Sequence, residues 1–265
     1  MARYPRLMPA QPQLFTASVL RSSRLSPSFQ RVTIGGPALA DFDWRGFDSW
    51  FRLFLPSPGV ALRLPKVSGR SWWPAYLLIP EAQRPHCANY TVADFRPEAC
   101  ELDIDVVLHW HDGALAGRVA RWAAEATPGQ QVGLLDQGLM FDPPAGSGRV
   151  LLAADETGLP GVLGILAGLP AETIGAAVLE VPEAGDVREV TAPPGMGLTW
   201  LPRTDGQAPG ALALAALSTF DVRPDDYAYL VGESSLATGA RRLLRKAGLP
   251  TSQITFSGFW KAASH

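Results

Sequence analysis

Two turns in the second half of the chain carry polar residues at points where a ligand could bind. One turn directly follows a buried strand pattern, and the other directly precedes a helical pattern. The residues are Asp155, Glu156, Thr157, Gly232, Glu233 and Ser234. Ligands of open α/β sheets bind at the carboxyl ends of strands, and helix N-termini attract anions. We therefore expect an anionic ligand here, although an ordinary turn followed by a helix cap has the same composition.

Other chemistries fit these residues less well. Ser234 lies in Gly-Glu-Ser-Ser-Leu, which lacks the second glycine of a hydrolase nucleophile turn. His109 and His111 form a His-x-His pair without a matching cysteine or carboxylate cluster, so we predict no metal site. The adjacent Asp155 and Glu156 point in different directions on a turn and do not form a glycosidase pair. Neither a G-x-G-x-x-G motif nor a Walker-type phosphate loop occurs in the sequence.

The composition limits the class of protein. The 265 residues are 47% hydrophobic, which is enough for a packed core, and the formal charge of -2 argues against nucleic acid as a partner. Two cysteines are too few for a disulfide framework. The proline-broken start is unlike a secretory signal, and no apolar run is long enough for a membrane span. We expect a soluble, cytoplasmic protein that is a monomer by default.

The first half of the chain has the pattern of antiparallel strands. β-branched and aromatic runs bounded by Ser, Pro and Gly define most of them. The predicted strands are 14–20, 29–34, 50–55 and 101–109. In the last of these, apolar residues alternate with acidic ones, so one face should meet water. Residues 56–85 are rich in proline and predict a long loop, and one helix is predicted at 118–126.

The second half alternates strand and helix patterns, which indicates βαβ units and a parallel sheet. The predicted strands are 150–154, 176–181, 198–201, 227–231 and 254–256. The predicted helices are 159–169, 211–217 and 236–247. Residues 143–148 have linker composition. The predicted fold is therefore an N-terminal antiparallel β-barrel followed by an open parallel α/β domain.

Eight short motifs follow one another between about Phe15 and Lys261. They include Asn-Tyr-Thr-Val, Asp-Glu-Thr-Gly-Leu-Pro and, near the end, Gly-Phe-Trp-Lys. The motifs occupy residues 29–37, 48–56, 89–92, 101–109, 121–123 with 128–129, 155–160, 232–234 and 258–261. Each is weak alone, but in this order they resemble the siderophore-interacting proteins, a branch of the ferredoxin-reductase-like flavoproteins.

The resemblance implies a fold, two cofactors and a reaction. Residues 12–142 would form a barrel that binds FAD, and residues 149–265 an α/β domain that accepts NADPH or NADH. The implied reaction is reduction of a ferric siderophore, which releases iron as iron(II). No catalytic acid or base is expected, because the redox chemistry belongs to the cofactor.

The resemblance also assigns roles to individual positions. Tyr90 would pack on the flavin ring, the segment around Arg118 would supply helix-start amides for the pyrophosphate, and Trp260 would lie near the isoalloxazine. The expected cofactor-binding residues are Tyr90, Thr91, Val92, His109, Arg118, Val119, Ala120, Trp122, Asp155, Glu156, Thr157, Gly232, Glu233, Ser234 and Trp260. The expected siderophore-binding residues are Arg52, Arg242 and Arg245.

The chain departs from the family pattern where FAD phosphates should bind. The family has arginine two residues before the motif tyrosine and again shortly after it, whereas this chain has Ala88 and Ala93. We hypothesise that Arg118 supplies the missing charge from the helix side. Arg203, after a predicted strand, is a candidate for the 2′-phosphate of NADPH.

Two other functions stay open at this point. A non-catalytic protein that binds a ferric chelate would explain the loss of arginine at positions 88 and 93. A flavin reductase that uses loosely bound flavin as a substrate would also fit these losses. Both differ from the leading hypothesis in whether FAD stays bound to the protein.

Overall fold

The computed structural model describes residues 7–9, 11–67, 71–111 and 113–262. These residues form two compact units. The first unit contains the described residues up to Arg45 and residues 49–140, and the second contains residues 46–48 and those from Phe141 onwards. Each unit has its own sheet and its own hydrophobic core.

The first unit is built on a seven-stranded, barrel-like antiparallel sheet. The described strands of this unit are β1 (Leu14–Ser26), β2 (Phe29–Gly35), β3 (Trp50–Leu55), β4 (His86–Thr91), β5 (Asp94–Arg96), β6 (Glu101–Val107), β7 (His109–His111), β8 (Ala114–Ala116) and β9 (Gln131–Asp136). Strands β7 and β8 form a separate hairpin, and the other seven form the sheet. The order in the sheet is β4-β3-β9-β1-β2-β6-β5. Two helices accompany it, α1 (Trp73–Leu77) and α2 (Arg118–Glu125).

The acidic face of β6 is buried, which corrects the expectation that it meets water. Asp103 and Asp105 are 4% and 5% exposed. The Arg31 guanidinium donates to Asp105 at 2.7 Å, and the Arg96 guanidinium donates to Asp103 at 2.8 Å. Part of the arginine excess of this chain is therefore used to neutralise carboxylates on the sheet. A carboxylate can be buried when an arginine guanidinium, which carries several N–H donors in one plane, binds its oxygens.

Other elements of the first unit also differ from the prediction. The predicted loop 56–85 contains α1. Trp72, directly before the helix, and Tyr76, within it, pack on Phe54. The strand predicted at 101–109 ends at Val107, and His109 begins the separate hairpin. The sequence patterns did not reveal β4, β5 and β9, because these strands are short or contain polar and glycine residues.

The second unit is a five-stranded parallel sheet with helices between its strands, as predicted. The strands are β10 (Val150–Ala154), β11 (Ile174–Val181), β12 (Gly195–Pro202), β13 (Tyr227–Glu233) and β14 (Ile254–Trp260). The helices are α3 (Leu159–Gly168), α4 (Ala211–Leu217) and α5 (Ser234–Lys246). The central strands β10 and β13 are buried along their whole lengths, which explains their continuous apolar sequences.

The strand order β12-β11-β10-β13-β14 contains a change of direction. The chain moves from β10 towards one edge through β11 and β12, and then returns to pair β13 with the other side of β10. In open α/β sheets, this switch point is where a crevice for ligands forms at the carboxyl ends of the strands. Here the switch point is flanked by Asp155 and by Gly232, the two turns singled out from the sequence.

Gly232 is required by both its conformation and its surroundings. Its φ of 126° is rarely adopted by other residues. A Cβ at this position would lie 2.5 Å from Oδ1 of Asp155. The close approach of β13 to the Asp155 carboxylate therefore depends on the absence of a side chain.

We predict that Gly232→Ala destabilises the second unit more than Gly206→Ala does. Gly206 also has a positive φ, of 81°, but its Cβ would meet nothing within 4 Å. The control should cost about 1–2 kcal/mol for backbone strain, and Gly232→Ala about 1–3 kcal/mol more for the collision. Urea titrations give both free energies of unfolding, and equal losses would contradict the account of the Asp155 contact.

Candidate functional site

A cleft of about 710 Å³ lies in the first unit beside helix α2. One wall is the end of β3 and the loop that follows it, residues 55–61. The other is the face of α2 that carries Arg118, Arg121, Trp122 and Glu125. Nη2 of Arg118 lies 2.9 Å from Oγ of Ser57, so this side chain extends across the cleft. Ser57 could not be recognised from sequence patterns, because a serine in a proline-rich loop has no distinctive pattern.

The start of α2 gives the cleft further anion-binding capacity. Gly117 precedes the helix with a φ of 85°, and a Cβ there would meet nothing within 4 Å. The side chains of Val119 and Ala120 are buried, so only their backbone groups could contact a ligand. First-turn amides of a helix have no intrahelical acceptor and carry partial positive charge. Two arginines and these amides outweigh the single carboxylate of the cleft, Glu125, and suit a ligand with two adjacent negative charges.

Strand β4 presents His86, Ala88 and Tyr90 on one face, because alternate residues share a face. Ala88 and Tyr90 pack at the border of the barrel core, as does Trp122 of α2. Burial lowers the pKa of His86, and the positive charge of Arg118 lowers it further. Arg118 therefore acts electrostatically on the same face of β4 on which the family arginine would stand at position 88.

The other predicted flavin contacts of the first unit differ in accessibility. Burial raises the pKa of Tyr90, which keeps its phenol neutral, and its ring is half-buried. Thr91 is half-buried opposite Trp50, whereas the side chain of Val92 is buried in the core. His109 lies on the β7–β8 hairpin opposite Ala116.

Arg52 lies on the opposite face of the strand pair from Tyr90. Its guanidinium stands 4.7 Å from the centroid of the Trp72 ring, and Nη1 donates to Oδ1 of Asn89 at 3.0 Å. It also donates from Nε to Gln137 at 3.3 Å. The side chain is thus held in one orientation while it stays partly exposed.

In the second unit, Asp155 joins the ends of three strands. Its Oδ1 accepts hydrogen bonds from the amide and hydroxyl of Thr157, at 2.8 and 2.6 Å, and from the amide of Gly158 at 3.3 Å. Its Oδ2 accepts from the amide of Glu233 at 2.6 Å and from the indole Nε1 of Trp260 at 2.9 Å. The carboxylate is fully buried. Asp155 therefore positions β10, β13 and β14 and has no exposed oxygen to offer a ligand.

Glu233 and Ser234 are also engaged within the protein. The Glu233 carboxylate accepts from the amides of Ser235 and Leu236 and so caps the start of α5. The same interaction begins the helix at Ser234, two residues before the predicted start. The Ser234 hydroxyl donates to the carbonyl of Trp260 at 2.6 Å. The turn thus brings Asp155, Glu233 and Trp260 together.

Glu156 forms a buried ion-pair network with Arg203 and Glu180. Arg203 donates to the two oxygens of Glu156 at 2.7 and 2.9 Å and to Glu180 at 3.0 Å. Glu180 also accepts from the amides of Gly210 and Ala213 at the start of α4. The guanidinium of Arg203 is therefore hydrogen-bonded to two glutamates. This arrangement does not support its hypothesised role in binding a 2′-phosphate. Glu180 is the one carboxylate in the otherwise apolar sequence of β11, and this feature could have identified it from the sequence.

The remaining predicted residues are more accessible. Thr157 and Trp260 are half-buried at the carboxyl edge of the sheet. Arg242 and Arg245 are exposed on α5. Arg242 lies eight residues beyond the start of α5, which corresponds to about 12 Å along the axis. These two arginines are therefore separated from the Asp155 turn.

Among the described residues, no group of three or more His, Cys, Asp or Glu side chains is arranged to hold a metal ion, and the His111 side chain lies outside this description. No helix in the described ranges has the length and apolar character needed to cross a bilayer.

We predict that Arg203→Gln costs about 3–5 kcal/mol of stability at neutral pH, because it leaves buried carboxylates without their partner. Burial raises the pKa of Glu156, with Asp155 adding to the rise and Arg203 opposing it. An acid whose pKa is raised by folding stabilises the folded state below that pKa and loses this contribution as pH rises. The defect of Arg203→Gln should therefore shrink on acidification. Urea titrations across pH, with the exposed Arg223→Gln as control, test this, and a pH-independent defect would contradict it.

Comparison with known proteins identifies the family. Residues 18–140 match the siderophore-interacting FAD-binding domain, and residues 147–263 match the siderophore-interacting protein family. A ferric vibriobactin reductase from Vibrio cholerae is 29% identical over 97% of this chain and 90% of its own length. An NADPH-dependent ferric-chelate reductase from Escherichia coli is 27% identical, with 98% of each chain covered.

Solved structures agree with these matches. The crystal structure of a siderophore utilization protein from T. fusca is 30% identical, covers 98% of this chain and 96% of its own, and superposes with a TM-score of 0.82. The predicted family, fold class, FAD cofactor and class of flavin-dependent reductase are confirmed by these comparisons. The chain therefore belongs to the siderophore-interacting protein family, and its first unit contains the FAD-binding domain of that family.

Proposed function

We propose that the protein reduces ferric siderophores and releases iron as iron(II), with NADPH or NADH as the electron donor. The observation that carries the proposal is the cleft beside α2, whose arginines and helix amides suit the diphosphate of FAD. Residues 12–142 would bind FAD, and residues 149–265 would bind the nicotinamide dinucleotide. The proposal places the protein in the cytoplasm as a monomer.

When bound, FAD supplies the conversion of a two-electron hydride donor into single-electron transfers that ferric iron can accept. Siderophore oxygens bind iron(II) far less tightly than iron(III), so reduction releases the metal from the substrate. No side chain of the protein has to move a proton in this scheme. The protein binds and orients FAD, the nicotinamide dinucleotide and the ferric siderophore, and its charged side chains determine the electrostatic environment of all three.

Arg118 is the residue that we propose compensates for Ala88. It lies on the wall of the cleft, it reaches Ser57, and its charge acts on the face of β4 that carries position 88. Arg121 adds a second positive charge on the same wall. The diphosphate would thus be held from the helix side instead of the strand side, by charge-assisted hydrogen bonds. Tyr90 and Trp122, half-buried at the border of the core, would pack on the rings of the flavin nucleotide.

The turn at the switch point of the second sheet is our proposed site for the nicotinamide dinucleotide. Since the carboxylates of Asp155, Glu156 and Glu233 are bound internally, they would position the turn instead of touching the ligand. Contact would fall to Thr157, to the half-exposed ring of Trp260 and to backbone groups near Gly232. Hydrogen bonds to Asp155 fix the orientation of both side chains in advance.

Arg52, Arg242 and Arg245 remain our proposed contacts for the anionic ferric chelate. Each is at least partly exposed, and arginine binds carboxylate and phenolate oxygens through several donors. The chemical class of the siderophore is left open by these residues, because positive charge alone attracts any anionic chelate.

Purification and a visible spectrum test the proposal. We expect a yellow protein whose flavin absorbance is bleached by NADPH or NADH without oxygen and restored by a ferric siderophore. A protein that takes up no FAD but whose tryptophan fluorescence is quenched by the ferric chelate would instead be a chelate-binding protein. A protein that oxidises NAD(P)H only with added free flavin would be a flavin reductase.

We predict that Arg118→Gln weakens FAD binding by about one to two orders of magnitude, the value of one lost charge-assisted hydrogen bond of about 1.5–3 kcal/mol. The exposed Arg24→Gln serves as the control. Isothermal titration of the apoprotein with FAD gives both affinities.

A rescue makes this prediction specific. Ala88→Arg should restore most of the affinity in the Arg118→Gln background, because it returns a positive charge to the β4 face. The idea that Arg118 replaces the family arginine is rejected by unchanged affinity in Arg118→Gln, or by a double variant that binds no better than the single one.

We also predict that FAD affinity increases as pH falls through the range where His86 gains its proton. Burial and Arg118 lower the pKa of His86 below its ordinary value of about 6.5 in the apoprotein. A nearby diphosphate should raise that pKa, so binding should take up a proton and strengthen on acidification. Titrations across pH measure the effect, and His86→Asn should remove it. A pH profile that is the same in both proteins would show that His86 does not sense the ligand.

A further inference from the structure

Three apolar side chains stand exposed on helix α1 and directly after it. Trp73 is 50% exposed, Leu77 is 47% exposed and Leu78 is 84% exposed. Single exposed apolar residues are common on proteins, but three within six positions form a patch. Their neighbours Trp72 and Tyr76 are buried in a small cluster with Phe54, so the helix is anchored to the first unit by its other side.

Three basic residues lie in the chain segments next to this patch. Arg84 donates to the carbonyls of Leu77 and Ile79, which fixes it at the end of α1. Leu62, Leu64 and Val67 pack on the same buried cluster as Trp72. The segment that contains the exposed Arg63 and Lys66 therefore lies beside the helix.

The charge of this region is opposite to that of the whole chain. Residues 56–85 contain four basic residues and one acidic residue, Glu81, whereas the formal charge of the chain is -2. Trp and Leu side chains with a rim of arginine and lysine are the composition of surfaces that lie in a membrane interface. Such cations are attracted to anionic headgroups, and the indole ring settles at headgroup depth.

We propose that this surface, formed by Trp73, Leu77 and Leu78 with the rim Arg63, Lys66 and Arg84, docks on the anionic face of a phospholipid membrane. A second copy of the chain fits the surface less well. A symmetric dimer would bring the same patch of each copy together, and the three rim cations of one copy would meet those of the other. Anionic lipid both covers the apolar side chains and neutralises the rim.

Sedimentation with lipid vesicles tests the proposal. We expect the FAD-loaded protein to bind vesicles of phosphatidylcholine with phosphatidylglycerol roughly a hundredfold more tightly than phosphatidylcholine alone, about fivefold for each rim cation. High salt should weaken the binding. Leu78→Gln and Lys66→Gln should each reduce it about fivefold or more. Ile174→Gln, which removes an apolar side chain of the second unit that is 52% exposed, should not.

The outcomes separate this proposal from a folding defect and from the reductase function. Thermal unfolding and bound flavin are measured on every variant, and Leu78 is so exposed that its replacement should alter neither. Equal binding of Leu78→Gln and the unchanged protein, or equal binding to both kinds of vesicle, overturns the proposal. Self-association that Leu78→Gln abolishes would overturn it in favour of a protein interface. Vesicle binding requires no electron transfer, so failure of the reductase assay leaves this test intact.

Discussion

The buried carboxylate of Asp155 is the constraint on which the second unit depends. Five donors from four residues converge on its two oxygens, and they come from the ends of β10, β13 and β14. A buried carboxylate is tolerated only when its oxygens are satisfied in this way. The strand ends are therefore held at fixed separations, and Gly232 has to lack a side chain. The crevice at the switch point keeps its shape before any ligand arrives.

In the first unit, positive charge lies on the wall of the cleft that helix α2 forms. The chain has alanine at positions 88 and 93, and Arg118 and Arg121 line the cleft beside α2. Other arginines neutralise buried carboxylates on β6, and Arg203 does so on the second sheet. The near-neutral net charge of the chain therefore includes arginines with different roles. The role of each arginine can be recognised only from the residues that it contacts.

Much of the fold could be predicted because apolar periodicity reflects burial. The parallel strands β10 and β13, the order of the α/β elements and the turns at the carboxyl ends of these two strands all followed from the sequence. Patterns failed where partners from distant segments decide the outcome. The acidic face of β6 is buried because Arg31 and Arg96 cover it, and Arg203 is engaged because Glu156 and Glu180 lie beside it. His86 and Ser57 could not be predicted as site residues from the sequence, because both are linked to the cleft through the position of Arg118.

In the proposed reaction, electrons reach ferric iron through FAD bound to this chain. The direct measurement is a single turnover without oxygen. The FAD-loaded protein is reduced with one equivalent of NADPH or NADH, freed of excess nucleotide and mixed with a ferric siderophore, and iron(II) is counted with a colorimetric chelator. The account predicts two iron(II) for each FAD, the number set by the two electrons of a hydride, and none from the apoprotein. Iron(II) that forms equally without bound FAD, or not at all, would contradict it.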